Sequence, residues 1–250
     1  MASLEGRTAL ITGAASGLGR SHAEFMSGLG ADIIVHDINE DGAEKTAESV
    51  RANGRNAHVF INDVLDIAAL ADGIKVAEAA MGPIHILVNN AGNSGQRLPL
   101  EDIDEACFER LFDIHVKGSF FAAKAVVGGM KERRYGRIVN TSSMYGLTGS
   151  TDASHYAGAK GALLGLTKAW AKEFAPFNIT VNAVAPGFID TEMTRVGRDD
   201  AFFEKRAKTV PLQRHGVPRD ISHAVAWLAS DEADYVTGQV ISPNGGMVIT

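Results

Sequence analysis

Residues 12–19 read Thr-Gly-Ala-Ala-Ser-Gly-Leu-Gly and follow a short apolar run, Thr8–Thr12. Apolar residues spaced three and four apart begin at Gly17, which predicts that a helix starts inside the glycine-rich stretch. Glycines at a strand–helix junction allow a tight turn and let backbone N–H groups approach a pyrophosphate, which the helix N-terminus also attracts. The spacing Gly-x-x-x-Gly-x-Gly differs from the usual fingerprint, so taken alone it also fits an ordinary glycine-rich turn.

Short runs rich in Ile and Val alternate with longer segments of helical periodicity along the rest of the chain, which is typical of a βα repeat. The predicted strands are Thr8–Thr12, Asp32–Val35, His58–Ile61, His85–Asn89, Arg137–Thr141, Thr180–Val184 and Gln239–Ser242. The predicted helices are Gly17–Gly28, Asp41–Ala52, Ile67–Ala80, Ile103–Arg133, Ser154–Phe174 and Arg219–Leu228. This order predicts a Rossmann-type, doubly wound parallel sheet of about seven strands with helices on both faces.

The length of 250 residues and the absence of a linker or repeat predict one domain, residues 1–250. Residues 188–216 lack a strand signal, and so long an excursion is typical of a segment that covers a substrate site. A net charge of −6 without a long basic run disfavours nucleic acid and anionic membranes as partners. A single cysteine and an N-terminus without signal-peptide character favour a cytoplasmic protein.

The second predicted strand is followed by Asp37, eighteen positions after Gly19. An acidic side chain at this offset is placed to accept hydrogen bonds from the hydroxyls of an adenosine ribose. A 2′-phosphate would instead be repelled by the carboxylate, and no Lys or Arg lies within the glycine turn to offset this repulsion. The predicted cofactor is therefore NAD and not NADP.

Tyr156 and Lys160 lie four residues apart on a predicted helix, so that their side chains share one face. An ammonium at ~4 Å in an effective dielectric of ~20 would favour the phenolate by about 4 kcal/mol, which brings the expected Tyr156 pKa toward neutrality. Ser143 follows a strand whose end faces the cofactor, and its hydroxyl is suited to hold a substrate oxygen as charge develops. A plain surface Tyr/Lys contact and a serine that satisfies loop backbone are the alternative interpretations.

In this order along the chain, Asn89-Asn90-Ala91-Gly92, Ser143, Tyr156-x-x-x-Lys160 and Pro186-Gly187 resemble the motifs of short-chain dehydrogenases/reductases. The C-terminal third, with 182–191 and Asn244-Gly245-Gly246, looks most similar to the 3-oxoacyl-(acyl-carrier-protein) reductase branch. The resemblance implies that Tyr156 is the general acid/base, that Ser143 orients the carbonyl, and that Lys160 lowers the Tyr156 pKa and binds the nicotinamide ribose.

The resemblance and the glycine turn together give one expected cofactor site. Its members are Gly13, Ser16, Gly17, Leu18, Gly19, Asp37, Ile38, Asp63, Val64, Asn90, Ala91, Gly92, Tyr156, Lys160, Pro186, Gly187, Ile189 and Thr191. By resemblance, Asp63 and Val64 contact the adenine, and Ile189 and Thr191 contact the carboxamide. Family members of this kind form tetramers, which implies a homotetramer built through the long fourth and fifth helices and the C-terminal segment.

His115 occupies the position where the family usually carries an Asn that holds a proton-relay water. An imidazole can also bond to water and to a carbonyl, and its ordinary pKa near 6.5 suits a relay, so we include His115 among the predicted catalytic residues. A buried His that only fills space is an equally supported interpretation. The other His residues show no metal-ligand spacing, and no metal is predicted.

The residues expected around the reacting carbon would make a largely apolar pocket. They are Ser143, Met144, Tyr145, Leu147, Phe188, Met193, Phe202 and Phe203. A ketone or secondary alcohol on a hydrophobic body fits such a pocket, and a 3-oxoacyl thioester is the second candidate. In the thioester case Arg133 and Arg134 would serve as basic residues at the entrance, although Phe177 stands where a second base is common. A dinucleotide-sensing protein without turnover is a third candidate, which the presence of both Ser143 and Tyr156 disfavours.

Overall fold

The computed structural model of the protein describes residues 3–249. Seven strands form one parallel sheet in the order β3-β2-β1-β4-β5-β6-β7. The strands are β1 Thr8–Thr12, β2 Asp32–Asp37, β3 Ala57–Ile61, β4 Ile86–Asn89, β5 Gly136–Thr141, β6 Ile179–Val184 and β7 Val240–Ile241. The predicted fold class is therefore confirmed, and each predicted strand is present with ends shifted by at most two residues.

Ten α-helices lie within the described residues. They are α1 Gly17–Ser27, α2 Glu40–Ala52, α3 Ile67–Met81, α4 Glu105–Phe112, α5 Gly118–Arg133, α6 Met144–Thr148, α7 Ser154–Phe174, α8 Glu192–Arg195, α9 Asp200–Ala207 and α10 Pro218–Ala229. None of the helices within residues 3–249 has the length and apolar composition needed to cross a bilayer.

The sheet is covered on both faces, and each face has its own apolar core. Met26 of α1 and Val225 of α10 belong to one buried cluster, whereas Ile74 of α3 and Val126 of α5 belong to the other. Because both faces are covered, the central strands read as continuous apolar runs and not as alternating ones. The strand order reverses between β1 and β4, and ligands of such sheets bind at the carboxyl ends of the strands at this point.

The predicted helix Ile103–Arg133 is interrupted. A π-helical turn, Asp113–Lys117, separates α4 from α5, and a 3₁₀ turn, Leu100–Asp102, precedes α4. A π turn inserts one extra residue without changing the apolar spacing much, so periodicity alone does not reveal it. The turn carries His115 and presents it to the carboxyl edge of the sheet.

Candidate active site

The glycine turn packs directly against the segment that follows β4. A Cβ at Gly13, which has a φ of +68°, would lie 2.8 Å from the Cα of Ala91, and a Cβ at Gly19 would collide with the carbonyl of Gly13. Asn90 holds the turn from the other side, because its side-chain amide donates to the carbonyls of Thr12 and Gly13 at 3.0 and 3.1 Å. Both glycines are therefore required by close backbone approach.

Helix α1 begins at the floor of this cleft with an unsatisfied N-terminus. Ser16 is the N-cap residue in extended backbone, and its side chain makes no capping hydrogen bond. The first N–H groups of the eleven-residue helix thus remain available to an anion. This arrangement fits the pyrophosphate of a dinucleotide.

Asp37, at the end of β2, is tied to the glycine turn. One carboxylate oxygen accepts from the Ala15 N–H at 2.8 Å, and the other accepts from the Asn39 N–H at 3.0 Å. A carboxylate has about four lone-pair sites, so two remain for ribose hydroxyls. Arg20, the base that directly follows the glycine turn, is already engaged with the Thr46 hydroxyl at 3.2 Å and with the Ala15 carbonyl.

One cleft of about 370 Å³ runs from β2 to α8 and unites nearly all the predicted cofactor residues. Gly19 is the exception, because it is buried beneath the turn. The cleft also includes residues that the sequence analysis did not name: His36, Asn62, Asn93, Arg110, Ile114, Thr141, Ser142, Glu192 and Thr194. All of these except Arg110 could have been found as neighbours of named positions, whereas no motif marks Arg110.

The three predicted catalytic side chains Ser143, Tyr156 and Lys160 converge in the same cleft. Ser143 caps α6, where its Oγ accepts from the Tyr145 N–H at 3.2 Å. Lys160 is 4% exposed, donates to the Thr141 carbonyl at 2.7 Å, and has its Nζ 5.7 Å from the centroid of the Tyr156 ring. Helix α7 thus presents Tyr156 and Lys160 on one face, opposite the end of β5.

Burial dominates the titration of both groups. It raises the pKa of Tyr156 to about 12, and the Ser143 hydroxyl acts in the opposite direction. It lowers the pKa of Lys160 to about 7. The expectation that Lys160 brings the Tyr156 pKa toward neutrality is therefore wrong for the protein chain by itself, because desolvation of the phenolate outweighs a nearby cation whose own pKa burial lowers.

His115 is 1% exposed and lies beside Tyr156, with ring centroids 5.6 Å apart. The Asn93 carbonyl accepts from its Nε2 at 2.8 Å, which leaves Nδ1 as an unprotonated, buried nitrogen without a partner within the described residues. Burial, followed by the charge of Lys160, lowers the pKa of His115 well below its ordinary value. The expectation that this ring titrates near 6.5 is therefore wrong, whereas its catalytic role stays a prediction for a neutral ring that lies next to Tyr156.

The predicted substrate residues do not share one wall. Met193, 44% exposed, lines the cleft, whereas Met144, the first residue of α6, is buried and donates its N–H to the Pro186 carbonyl. Phe188 and Phe202 instead belong to an aromatic cluster of the covering segment. The centroid distances are 6.1 Å for Phe188–Phe202, 5.2 Å for Phe188–Phe203 and 5.9 Å for Phe202–Phe203. Leu147 is half-buried in α6.

A β-bridge between Ile189 and Gly216 joins the two ends of the segment 188–216. It contains α8 and α9, and Arg195 joins them by ion pairs to Asp190 at 2.6 Å and Asp200 at 2.8 Å. Asp190 also lies 3.5 Å from His215 at the end of the segment. The segment thus has an internal structure of its own beside the cleft.

The two arginines suggested as basic residues at the entrance, Arg133 and Arg134, lie far from the cleft. Arg133 donates to the Ile84 carbonyl at 2.7 Å and Arg134 to the Pro176 carbonyl at 3.0 Å. Both acceptors precede the amino ends of strands, so within one chain these arginines lie at the edge of the sheet opposite the site. The interpretation of them as basic entrance residues is therefore wrong for a single chain, because α5 runs away from the site toward β5. Within residues 3–249, no group of three or more His, Cys, Asp or Glu is arranged to hold a metal ion.

Comparison with known proteins gives a consistent result. A family model described as enoyl-(acyl carrier protein) reductase matches residues 13–248. The 3-oxoacyl-(acyl-carrier-protein) reductase of Escherichia coli K12 is 40% identical over 243 residues, covering 97% of this chain and 98% of the relative. The enzyme of the same name from Thermotoga maritima is 38% identical over 246 residues, covering 98% and 99%. The crystal structure of levodione reductase superposes with a TM-score of 0.93 at 32% identity, covering 97% and 98%.

Proposed function

The chain belongs to the short-chain dehydrogenase/reductase family of oxidoreductases, and we propose from this that it interconverts a secondary alcohol and a ketone with NAD(H). The observation that carries the proposal is the convergence of Ser143, Tyr156 and Lys160 beside an anion-binding glycine turn. When bound, the dinucleotide supplies or accepts the hydride. The chain's own residues supply the proton and hold the substrate oxygen.

Tyr156 is the proposed proton donor in the reduction direction. A ketone oxygen held by the Ser143 hydroxyl would receive the Tyr156 proton as the carbonyl carbon receives the hydride, so that one hydride and one proton give the alcohol. The reverse direction returns the proton to Tyr156. A pKa of about 12 for the chain alone keeps the phenol protonated and suits proton donation.

Lys160 is proposed to bind the nicotinamide ribose and to lower the Tyr156 pKa once the site is filled. Its pKa of about 7 leaves the ammonium partly charged near neutrality, and the positive charge of an oxidised nicotinamide would act on Tyr156 in the same direction. His115 is proposed to assist by donating from Nε2 to the Asn93 carbonyl and by offering the unprotonated Nδ1 as a hydrogen-bond acceptor next to Tyr156.

The preference for NAD rests on Asp37. The carboxylate keeps free lone pairs beside the glycine turn, Ser16 of that turn is neutral, and Arg20 is engaged elsewhere. A charge-assisted hydrogen bond contributes about 1.5–3 kcal/mol, whereas a 2′-phosphate would meet like charge. We therefore propose that NAD(H), and not NADP(H), is the cofactor.

A 3-oxoacyl-thioester reductase is the second candidate, and the names of the relatives favour it. The levodione reductase neighbour favours a simple ketone. Within one chain Arg133 and Arg134 lie away from the site and do not form the basic entrance expected of a carrier-protein reductase, so the simple alcohol or ketone remains first. A non-catalytic sensor of dinucleotides is the weakest alternative, because it has no need of three converging catalytic side chains.

The proposed assembly is a cytoplasmic homotetramer. Phe120 on α5 is 41% exposed and its ring lies 5.8 Å from that of Trp170 on α7. Trp170 itself is buried, so Phe120 is the exposed aromatic of this pair of adjacent long helices, and it is suited to pack against a second copy. Light scattering of the purified protein measures the mass directly, and a multiple of 26.5 kDa other than four would contradict the tetramer.

The test of the function compares kcat/KM for four reactions: NAD with 1-phenylethanol, NADP with the same alcohol, and NADH with either acetophenone or acetoacetyl-N-acetylcysteamine. We expect the highest values with NAD(H) and the simple alcohol or ketone. A higher kcat/KM for the thioester would favour the second candidate. Binding of NADH without turnover of any probe would favour a sensor.

A further inference from the structure

Two loops beside Tyr156 are joined by an ion pair that the proposed mechanism does not use. Arg97 lies in the loop after β4 and Asp152 in the loop between α6 and α7. The guanidinium meets the carboxylate with two hydrogen bonds, Nε to Oδ2 at 2.8 Å and Nη2 to Oδ1 at 2.5 Å. Ser150 donates a third hydrogen bond to Asp152 at 3.2 Å.

The pair has the geometry of a strong surface ion pair. Parallel double hydrogen bonds between a guanidinium and a carboxylate fix direction as well as distance. Each side chain keeps a little over 40% of its surface exposed, so the interaction is partly screened by solvent. The Arg97 guanidinium nevertheless holds the pKa of Asp152 below its usual value. The contact therefore persists as a charged pair across the neutral range.

Tyr145 connects this pair to the catalytic groups. The Arg97 guanidinium carbon lies 5.9 Å from the centroid of the Tyr145 ring, within the range of a cation–π contact. The same ring meets the Tyr156 ring edge-to-face, at 6.5 Å between centroids. The Tyr145 N–H donates to Ser143 Oγ at 3.2 Å. One residue thus touches both groups that would hold the substrate oxygen, and Arg97 covers it from the outside.

We propose that Arg97 and Asp152 form a bridge that positions Tyr145 as one wall of the substrate site and so determines which substrates fit. The inference rests on the proposed function, since it assigns a role at the same site. Arg97 is a positioning residue, because it acts through Tyr145. Breaking the bridge frees two loops at once, whereas the cofactor turn, on the other side of β4, keeps its own contacts.

The experiment uses Arg97→Gln, Asp152→Asn, the double variant and the exchanged pair Arg97→Asp with Asp152→Arg. The probes are 1-phenylethanol with NAD, and NADH binding by fluorescence titration. We expect each single variant to raise the KM for 1-phenylethanol about fivefold, the effect of one well-oriented surface ion pair, with kcat within about twofold. The exchanged pair should recover most of the parent KM, and the Kd for NADH should not change.

Salt gives an independent readout. Raising the KCl concentration should increase the parent KM, since the pair is partly exposed, but should leave the KM of the double variant unchanged. Arg55→Gln is the matched control. Arg55 pairs with Asp32 at 3.1 Å and Glu5 at 2.8 Å at the opposite edge of the sheet, so its loss should not alter the KM.

Equal KM values for the parent and both single variants would overturn the proposal. A KM of the exchanged pair that is as high as the KM of the single variants would also overturn the proposal, because it would show that the two residues act by packing and not by complementary charge. A parent that binds NADH but turns over none of the probes contradicts the proposed function instead, and that result is visible before any variant is compared.

Discussion

The cofactor side of the cleft and the covering segment 188–216 differ in how their side chains are held. On the cofactor side, Gly13, Asp37 and Asn90 are fixed by backbone contacts between the ends of neighbouring strands. In the covering segment, Phe188 and Phe202 are held by other side chains of the same segment. A site built from strand ends is specified by short motifs, whereas a site built from packed side chains depends on how a whole segment folds.

This difference predicts where substitutions act. Changes on the cofactor side should alter the chemistry or the choice of cofactor, with the fold intact. Changes in the covering segment should alter the substrate range.

Replacing Tyr156 by Phe should abolish turnover while NADH still binds. The ring is kept and only the transferable proton is lost, and general acid/base catalysis typically contributes 10²- to 10⁴-fold, so kcat should fall at least about a hundredfold. Steady-state kinetics and NADH titration measure the two quantities separately. Activity within a few-fold of the parent would contradict the role of Tyr156.

Replacing Asp37 by Asn should relax the preference for NAD. The Asn keeps one oxygen for the Ala15 N–H but loses the charge that repels a 2′-phosphate, so the ratio of kcat/KM for NAD to that for NADP should fall at least about tenfold. The Asn keeps the turn bonded, which makes it a better probe than Ala. An unchanged ratio would show that Asp37 only ties the turn to β2.

Replacing Phe202 by Ala tests the covering segment. Phe202 is 39% exposed, so its loss should cost little stability, but kcat/KM for 1-phenylethanol should fall about threefold to tenfold if the ring packs on the substrate. Val196→Ala is the matched control, since Val196 is 78% exposed on the same segment. Equal kinetics of the two variants would place Phe202 outside the substrate site.

The smallest effect is expected at His115. His115→Asn keeps a polar group near Tyr156 and should stay within about threefold of the parent, whereas His115→Leu should lose more activity without loss of thermal stability. Because burial lowers the pKa of His115, the ring stays neutral as pH falls through 6.5, and the parent kcat should show no imidazole inflection there. An inflection near pH 6.5 in the kcat profile of the parent that is absent from His115→Asn would contradict a neutral His115. Equal kcat values of the Asn and Leu variants would show that His115 is a packing residue.

The sequence predicted the strands, and the proposed cofactor residues lie together in one cleft, for a physical reason. Parallel strands that end at one edge bring their following residues together, so the motifs after β1, β4 and β5 had to meet. The π turn at Asp113–Lys117 escaped prediction because it leaves apolar spacing intact. Arg110 reaches the cleft from α4, whose orientation only tertiary packing decides. The Tyr156 pKa was misjudged because burial cannot be read from helical spacing.

The most direct measurement follows a deuterium atom from NADH labelled at C4 into the product of acetophenone reduction. With the transferable position labelled, the parent protein should form 1-phenylethanol that carries one deuterium on the carbinol carbon, and Tyr156→Phe should form almost none in the same time. Two results would contradict hydride transfer in the cleft that Ser143, Tyr156 and Lys160 share. In the first, the labelled NADH is consumed but the 1-phenylethanol formed carries no deuterium. In the second, NADH binds but no 1-phenylethanol forms from any labelled cofactor.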